Sequence, residues 1–588
     1  MRTLRIPASP SAFALLLLLG ACGTNTVEPT SSNTPASAPS DTTAPTVSIV
    51  LPSATGSYST TSSAVSLSGT ASDNVGVASV SWRNAANGAG GSTSGTGTWS
   101  VASVGLVSGV NTITVTARDA AGNNGSATLA VTYTPGGPSS LSGNVDSSLV
   151  NRSGTNTVYI YSGTVTPNSG TTPFATTIAA QDNGACTFSY SFGTLPAGSY
   201  TVAFSSDGTT FRGVAAVTLP ATSTHDFPPN RRLQVGPTRA LTTPSAAKAV
   251  ALNGDVIEID AADYPDDNVV WTQNNLTLRG VGGRAHLFST APIGNGKGIW
   301  VTDGQNTTVE NIEFSGANVV DQNGAGIRAE GPGLTVCNGY FHDNENGILD
   351  GSGVVLIEYS EFNHNGFGDG FTHNMYFSQS VTLFTLRYSY SHRARIGHNV
   401  KSRALENHIL YNRIMDEADG TASYSIDIPQ TGLTFIIGNL IEQGPNTDNP
   451  AIIAYGAENT NNPDHHLYVV NNTIVNDRPG GGQFITIAGG TTAQFVNNLF
   501  VGPGSVPSGA GVTSTSNLTP SSGSAAGLVN SAAFDYHLTS TSPARNAGTA
   551  PGSAGSVSLV PTSQYVQPIS REDRPVDGAI DIGAYEFQ

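Results

Sequence analysis

Nine short segments of one kind recur along the second half of the chain, and no feature constrains its fold more. "NLTLRGV" is followed by "TVENIEF", "TVCNGYF", "LIEYSEF", "TLRYSYS", "ILYNRI", "IIGNLI", "VVNNTI" and "FVNNLF". From Phe314 through Phe341, Phe362, Ser391, Ile414, Ile441 and Ile474 to Phe500, their closing residues are 21 to 33 apart. A unit of that size cannot bury its own apolar face, so successive units must stack on one another and share a core. The Asn in "VENIEF", "VCNGYF", "VVNNTI" and "FVNNLF" suits a sharp bend between strands, because Asn tolerates left-handed backbone. Stacked coils would also line up their amide side chains as a ladder.

Each coil carries a further strand about 11 to 13 residues before its bend. Aligning Ile299, Ile327, Ile348, Met375, Val400, Ile426, Ile453 and Ile485 as inward residues makes the next residue point outward. The outward column then reads Trp300, Arg328, Leu349, Tyr376, Lys401, Asp427, Ala454 and Thr486, with neighbours roughly 4.8 Å apart. Asn374, Asn399 and Ser425 are expected on one side of Tyr376, Lys401 and Asp427, with Ser378 and Arg403 on the other. Nearby loops bring Asp369, His373, His392, Arg393, Arg395 and His398. Residues 387 to 413 hold six Lys or Arg and a single acid, Glu406. Lys401 is one of only three lysines in the chain. Against a net charge of −17 and only 11% charged residues, this concentration is a funnel for an anion. The overall acidity excludes a general nucleic-acid binder, which needs a basic face.

The remaining chain reads as export machinery and spacers. Arg2 and Arg5 precede the apolar run Phe13 to Leu19, as in a secretory signal. "LGAC", ending at Cys22, resembles a bacterial lipobox, which implies cleavage after residue 21, lipidation of Cys22 and a membrane anchor. With Gly23 following, the expected site is the outer surface of the cell. Residues 22–45 form a Ser/Thr/Pro-rich tether. Residues 46–135 alternate as strands, and "ASDNVGVASVSW" with "NTITVTARDAAGNN" resembles bacterial immunoglobulin-like repeats. Residues 139–229 form a second sandwich. Its "TLPAGSYTVAF" resembles the closing hairpin of transthyretin-like, carboxypeptidase-regulatory-type modules, with Leu195 to Gly198 as turn and Tyr200, Val202 and Phe204 inward. Cys186 and Cys337 lie far apart in sequence, and neither is expected to be paired.

The segment from Pro244 to Leu252 reads as a short helix, capped by Asn253-Gly254 and followed by a strand from Val256 to Ile259. It resembles the N-terminal cap of right-handed parallel β-helix enzymes. "FDYHLTSTSPARNAG" through "DRPVDGAIDIGAYEF" resembles the terminal segment of extracellular β-helix proteins. The expected fold is therefore all-β: two small β-sandwich modules followed by a right-handed parallel β-helix over 233–588, acting as a monomer.

A long groove with a basic cluster suits an acidic polysaccharide. Such polymers break by β-elimination when a base removes the proton beside a neutralised carboxylate and an acid protonates the leaving oxygen. Lys401 is the candidate base, because the cationic neighbours Arg395, Arg403 and His398 would disfavour its charged form. Tyr376 or His398 would serve as acid. Arg393, Arg403 and Asn399 would hold the carboxylate, with His373, Asn374, His392 and Asp427 lining the binding site. "HNVKSRALENHILYN" resembles the segment carrying the base lysine in β-helix lyases of the alginate lyase and chondroitinase B type. The match is partial. Asp427 stands where those lyases place an Arg, and Gly397, His398 and Asn399 replace their calcium-binding acids. No cofactor is therefore assigned, although the loop with Asp416, Glu417 and Asp419 offers calcium ligands.

Two other functions use the same residues. A hydrolase of polygalacturonase type would need convergent carboxylates, for which Asp350, Asp369 and Asp427 are the candidates. A glycan-binding adhesin would use the cluster without chemistry. His342, His364 and His408, near coil bends, are expected to make structural hydrogen bonds, and Arg387 and Arg413 to be paired or solvated.

Overall fold

The computed structural model of the protein describes residues 41–134, 139–152, 154–575 and 578–588. The export signal, Cys22 and nearly all of the tether lie outside these residues. Among the described residues, no helix is long and apolar enough to cross a membrane. The chain divides into two compact units, one ending at Gly136 and the other running Gly137–Gln588.

The first unit is a sandwich of a three-stranded and a five-stranded sheet. Its strands alternate buried and exposed residues, as Ala64–Ser72 shows, and the inward set closes around Trp99, Ile113, Val115, Leu129 and Val131. The second unit opens with another sandwich, built on the core residues Val158, Ile160, Phe188, Val202 and Phe204. Here one expectation fails. Phe188–Leu195 and Gly198–Ser205, which flank the Leu195 to Gly198 turn, belong to different sheets, so the turn is an inter-sheet corner and not a hairpin. The Tyr200 hydroxyl donates to the Pro196 carbonyl (2.8 Å) and holds that corner.

The rest of the unit is a right-handed parallel β-helix of three sheets. Sheet A has twelve strands, from Arg232–Val235 to Val512–Thr515. Sheet B has ten, from Asp263–Pro265 to Leu499–Val501, and sheet C nine, from Val269–Trp271 to Gln483–Ile487. The entry helix, Pro244–Lys248, is capped by the Thr243 side chain and stops short of the expected Leu252. Between sheets A and B the chain turns at a left-handed residue in every coil from Asn311 to Asn497. Four of these are the expected asparagines, while Tyr359, Tyr388 and Tyr411 occupy the same position.

The residue after this bend builds the ladder. Asn412, Asn439, Asn472, Asn498 and Asn517 are linked side chain to side chain at 2.9–3.0 Å, and each amide also caps a backbone carbonyl. Buried backbone polar groups at a corner need partners, and one amide side chain per coil supplies them.

Outer faces of two sheets are covered. The second sandwich docks on sheet A, where Glu310 and Glu358 are buried. Arg152 bridges both carboxylates, Arg279 joins Asp146 to Glu310, and Arg387 completes the pairing of Glu358. Cys186 and Cys337, expected to be unpaired, form a disulfide across this junction (Cα–Cα 5.9 Å). Docking overrides the 151-residue separation in sequence. The C-terminal segment lays Tyr536, Leu538, Tyr565 and Ile582 against Tyr390, Met415, Leu440 and Val475 on the upper coils of sheet B.

Candidate active site

Sheet C carries the outward column. Its inward line pairs Trp300, Ile327, Ile348 and Met375 and, higher up, Val400, Ile426, Ile453 and Ile485. In the first of these coils the expected alignment is one residue out. Trp300 points inward rather than Ile299, filling the core edge-on against Trp271 and Phe314. Above it, Tyr376 pairs with Lys401 and Lys401 with Asp427. Tyr376, Lys401 and Arg403 line a cleft of about 530 Å³ together with Arg328, Asp350, Asp369 and Phe371.

The Tyr376 ring is the floor of the cluster. Lys401 Nζ lies 5.9 Å and Arg403 Cζ 5.6 Å from its centroid, within cation–π range. Arg403 Nε donates to the Tyr376 hydroxyl oxygen at 3.0 Å. A phenol that accepts this bond keeps its own O–H free to donate. Arg403 also grips Glu458 through both terminal nitrogens. Three of its five N–H groups are thus engaged and two remain for a ligand.

Of the cationic neighbours expected around Lys401, Arg403 is there, but two carboxylates lie beside the lysine as well. Its Nζ lies 3.4 Å from Asp427 Oδ2 and 3.6 Å from Glu458 Oε1. Arg395, expected beside it, pairs instead with Asp343. His398 is neutral: burial foremost, with the Lys401 charge, pushes it down to about 3. Its Nδ1 accepts from the Tyr424 amide (3.3 Å), which places the ring proton on Nε2, 3.3 Å from Asp427. Both ring nitrogens are therefore occupied, and His398 is a positioning group for Asp427 rather than a proton donor to a ligand. Burial foremost, with the charges of Lys401 and Arg403, likewise holds His373 well below its ordinary value. His373 stacks on His398 at 4.7 Å and accepts from its amide. Burial raises the Asp427 carboxyl to about 6, with Lys401 opposing.

Four candidates lie elsewhere. Asn374 and Asn399 turn inward and form a second buried ladder, running Asn344, Asn365, Asn374, Asn399, Asp416. His392 belongs to sheet B, where it stacks on Tyr390 (3.8 Å) and reaches Glu361. Arg393 pairs with Glu417 and Asp419. Those pairs also occupy the loop considered for calcium, while Asp416 is buried on Asn399. Among the described residues, no three His, Cys or carboxylate ligand atoms converge at the cleft. Asp369 is already engaged by the Phe371 and Thr372 amides and the Thr372 hydroxyl. No calcium ion is assigned to the cleft.

No family model matches the chain, and no curated protein does. Among solved structures it is similar to the pectate lyase Pel9A, at 16% identity over 61% of this chain and 97% of that one, with a TM-score of 0.44. The PL6 family alginate lyase AlyGC is 15% identical over 49% of this chain, with a TM-score of 0.24. The chain spans about half of AlyGC's length, 52%. BcpA, the major pilin subunit of Bacillus cereus, aligns over 31% of this chain and 68% of its own at 10% identity and a TM-score of 0.15. Likeness at these levels says nothing about the reaction, and the fold rests on the strand pairing itself.

Glu458 and Phe371 escape the sequence reading of the site, while Arg328 stands in the outward column where the alternation puts it. Glu458 sits on the loop after Ala451–Tyr455, inside the longest coil step of 33 residues. That excess length is the signal for an inserted loop. Asn462 ties the loop to the Arg403, Ala404 and Thr431 carbonyls. Arg328 Nε is buried without a hydrogen-bond partner. Phe371, 83% exposed, stands at the rim.

Proposed function

We propose that the chain is a polysaccharide lyase that cleaves a uronate-containing polymer by β-elimination along sheet C. A lipid on Cys22 would hold it at the cell surface. The observation that carries this reading is Lys401 beside the Tyr376–Arg403 pair on one open sheet face. Lys401, as amine, takes the proton from the carbon next to the substrate carboxylate. The electron pair forms the new carbon–carbon double bond, the bond to the leaving oxygen breaks, and the Tyr376 hydroxyl protonates that oxygen. The two spare N–H groups of Arg403 neutralise the carboxylate, as the acidity of that proton requires. Arg328 receives the carboxylate of another sugar unit further along the groove. Asp427, 3.4 Å from Lys401 Nζ, holds the base in position on the sheet face. Phe371 offers an apolar face to a sugar ring.

This reading drops His398 as the acid and assigns no role to Asn399 or Arg393. The hydrolase reading loses ground for a stated reason: Asp427 is tied to Lys401 and His398, and Asp369 to its own loop. Mass spectrometry of the products tests the proposal. An elimination product carries one fragment lighter by a water than the hydrolytic fragment. Products with the full mass of hydrolysis would overturn it.

A further inference from the structure

On the lower coils of sheet B, below the part covered by the C-terminal segment, three consecutive strands carry His286, Glu313 and His342. Register pairs His286 directly with Glu313, and His342 lies one coil further on. Both imidazoles turn Nε2 to the same carboxylate oxygen: His342 Nε2 is 3.1 Å and His286 Nε2 3.7 Å from Glu313 Oε1. All three ligand atoms lie within 4.8 Å of one another. Ligands about 2.1 Å from a tetrahedral ion sit about 3.4 Å apart, so the spacing found is close to that of a filled site.

The other ring nitrogens are oriented as a metal site requires. His286 Nδ1 meets Asp263 (3.1 Å) and His342 Nδ1 meets Asp343 (2.9 Å). A carboxylate behind each imidazole fixes the tautomer that presents Nε2 as the ligand and raises its basicity. Phe288 stacks on His286 at 4.7 Å and Tyr340 on His342 at 4.4 Å, which fixes both ring planes. The nearby Arg284 does not fill the site, because its guanidinium is bound to Asn338. The three side chains are 20–27% exposed, so an ion can reach them from solvent.

We propose that His286, Glu313 and His342 bind a divalent transition-metal ion of the zinc or copper class. Two imidazoles and one carboxylate exclude a preference for calcium or magnesium, which favour all-oxygen shells. Three protein ligands leave a fourth position for water, near Ser315 Oγ, which lies 2.8 Å from His286 Nε2. The site is on a different sheet from Lys401 and does not depend on the lyase reading.

The test is isothermal titration of the chelator-stripped full chain with Zn²⁺, with visible absorption of the Co²⁺ form as a second readout. One ion per chain is expected. His342→Ala and Glu313→Gln should each weaken binding at least tenfold, and Asp343→Asn by roughly tenfold. His466→Ala, an exposed histidine beside Asp464, should change nothing. Glu313→Gln keeps the side-chain shape, so its melting curve should match the parent's and separates lost binding from lost folding. No Zn²⁺ uptake, or uptake unchanged in both His342→Ala and Glu313→Gln, overturns the proposal.

Discussion

Asp427 sets how the column responds to pH. It is buried between Lys401 and His398, and desolvation lifts its carboxyl from 3.8 to about 6. If Asp427 must be ionised to orient Lys401, activity falls as pH drops through about 6. Asp427→Asn should remove that acidic limb from the pH–rate profile and lower kcat, and a limb left in place would deny Asp427 this role. Stability runs the other way. A carboxyl raised in the folded state stabilises below its unfolded value and loses that contribution as pH rises through about 6. On the proposed function, Phe371→Ala should raise KM several-fold with little change in kcat, because the ring would meet a sugar away from the reacting bond. Sequence alternation was enough to stack Tyr376, Lys401 and Asp427, since a period of two fixes which residues share a face. It could not place Asn374 and Asn399, which sit at a corner where that period breaks. Nor could it place Glu458, which reaches the cleft from an inserted loop.

At the scale of the element, the bends decide the fold. Each ladder asparagine satisfies backbone groups of two neighbouring coils, so Asn472→Ala leaves a buried amide of Asn439 and the Ile436 carbonyl unpaired. The cost should be about 1–3 kcal/mol per orphaned group, read as a lower midpoint in denaturant. The ladder was foreseeable from the repeated Asn, yet its position was not. The left-handed residue tolerates Tyr in three coils, and the amide that bonds up the stack is the next one along. A different corner stores charge. Burial lifts Asp416 to about 7 and Glu442 well above its ordinary value, the latter helped by the Asp416 charge. Both bind protons more tightly folded than unfolded, so stability declines as pH rises from about 4 to 7. Glu442→Gln should flatten that decline and raise the melting temperature at pH 8. An unchanged slope would show that these acids are ionised at no cost.

Across the whole second unit, the sandwich and the β-helix share one electrostatic junction. Burial alone would raise Glu358, but Arg152 and Arg387 outweigh it and hold the carboxyl below its ordinary value. Without Arg152, Glu310 keeps Arg279 and Glu358 keeps Arg387, so Arg152→Ala should cost about 1–3 kcal/mol through the lost charged hydrogen bonds. Replacing both Cys186 and Cys337 by Ala should cost about 2–5 kcal/mol, seen as faster proteolysis of the sandwich. The disulfide was hidden in the sequence because nothing local to either cysteine reveals which faces dock. The repeat, by contrast, announced the β-helix directly, since coils that cannot stand alone must stack. What the open face of sheet C does is settled most directly by ultraviolet absorbance in the unsaturated-uronate band, followed on a panel of acidic polysaccharides. A rise with at least one of them, lost in Lys401→Ala while binding persists, is the predicted result. Reducing ends without absorbance, binding without cleavage, or a rise undiminished in Lys401→Ala would contradict it.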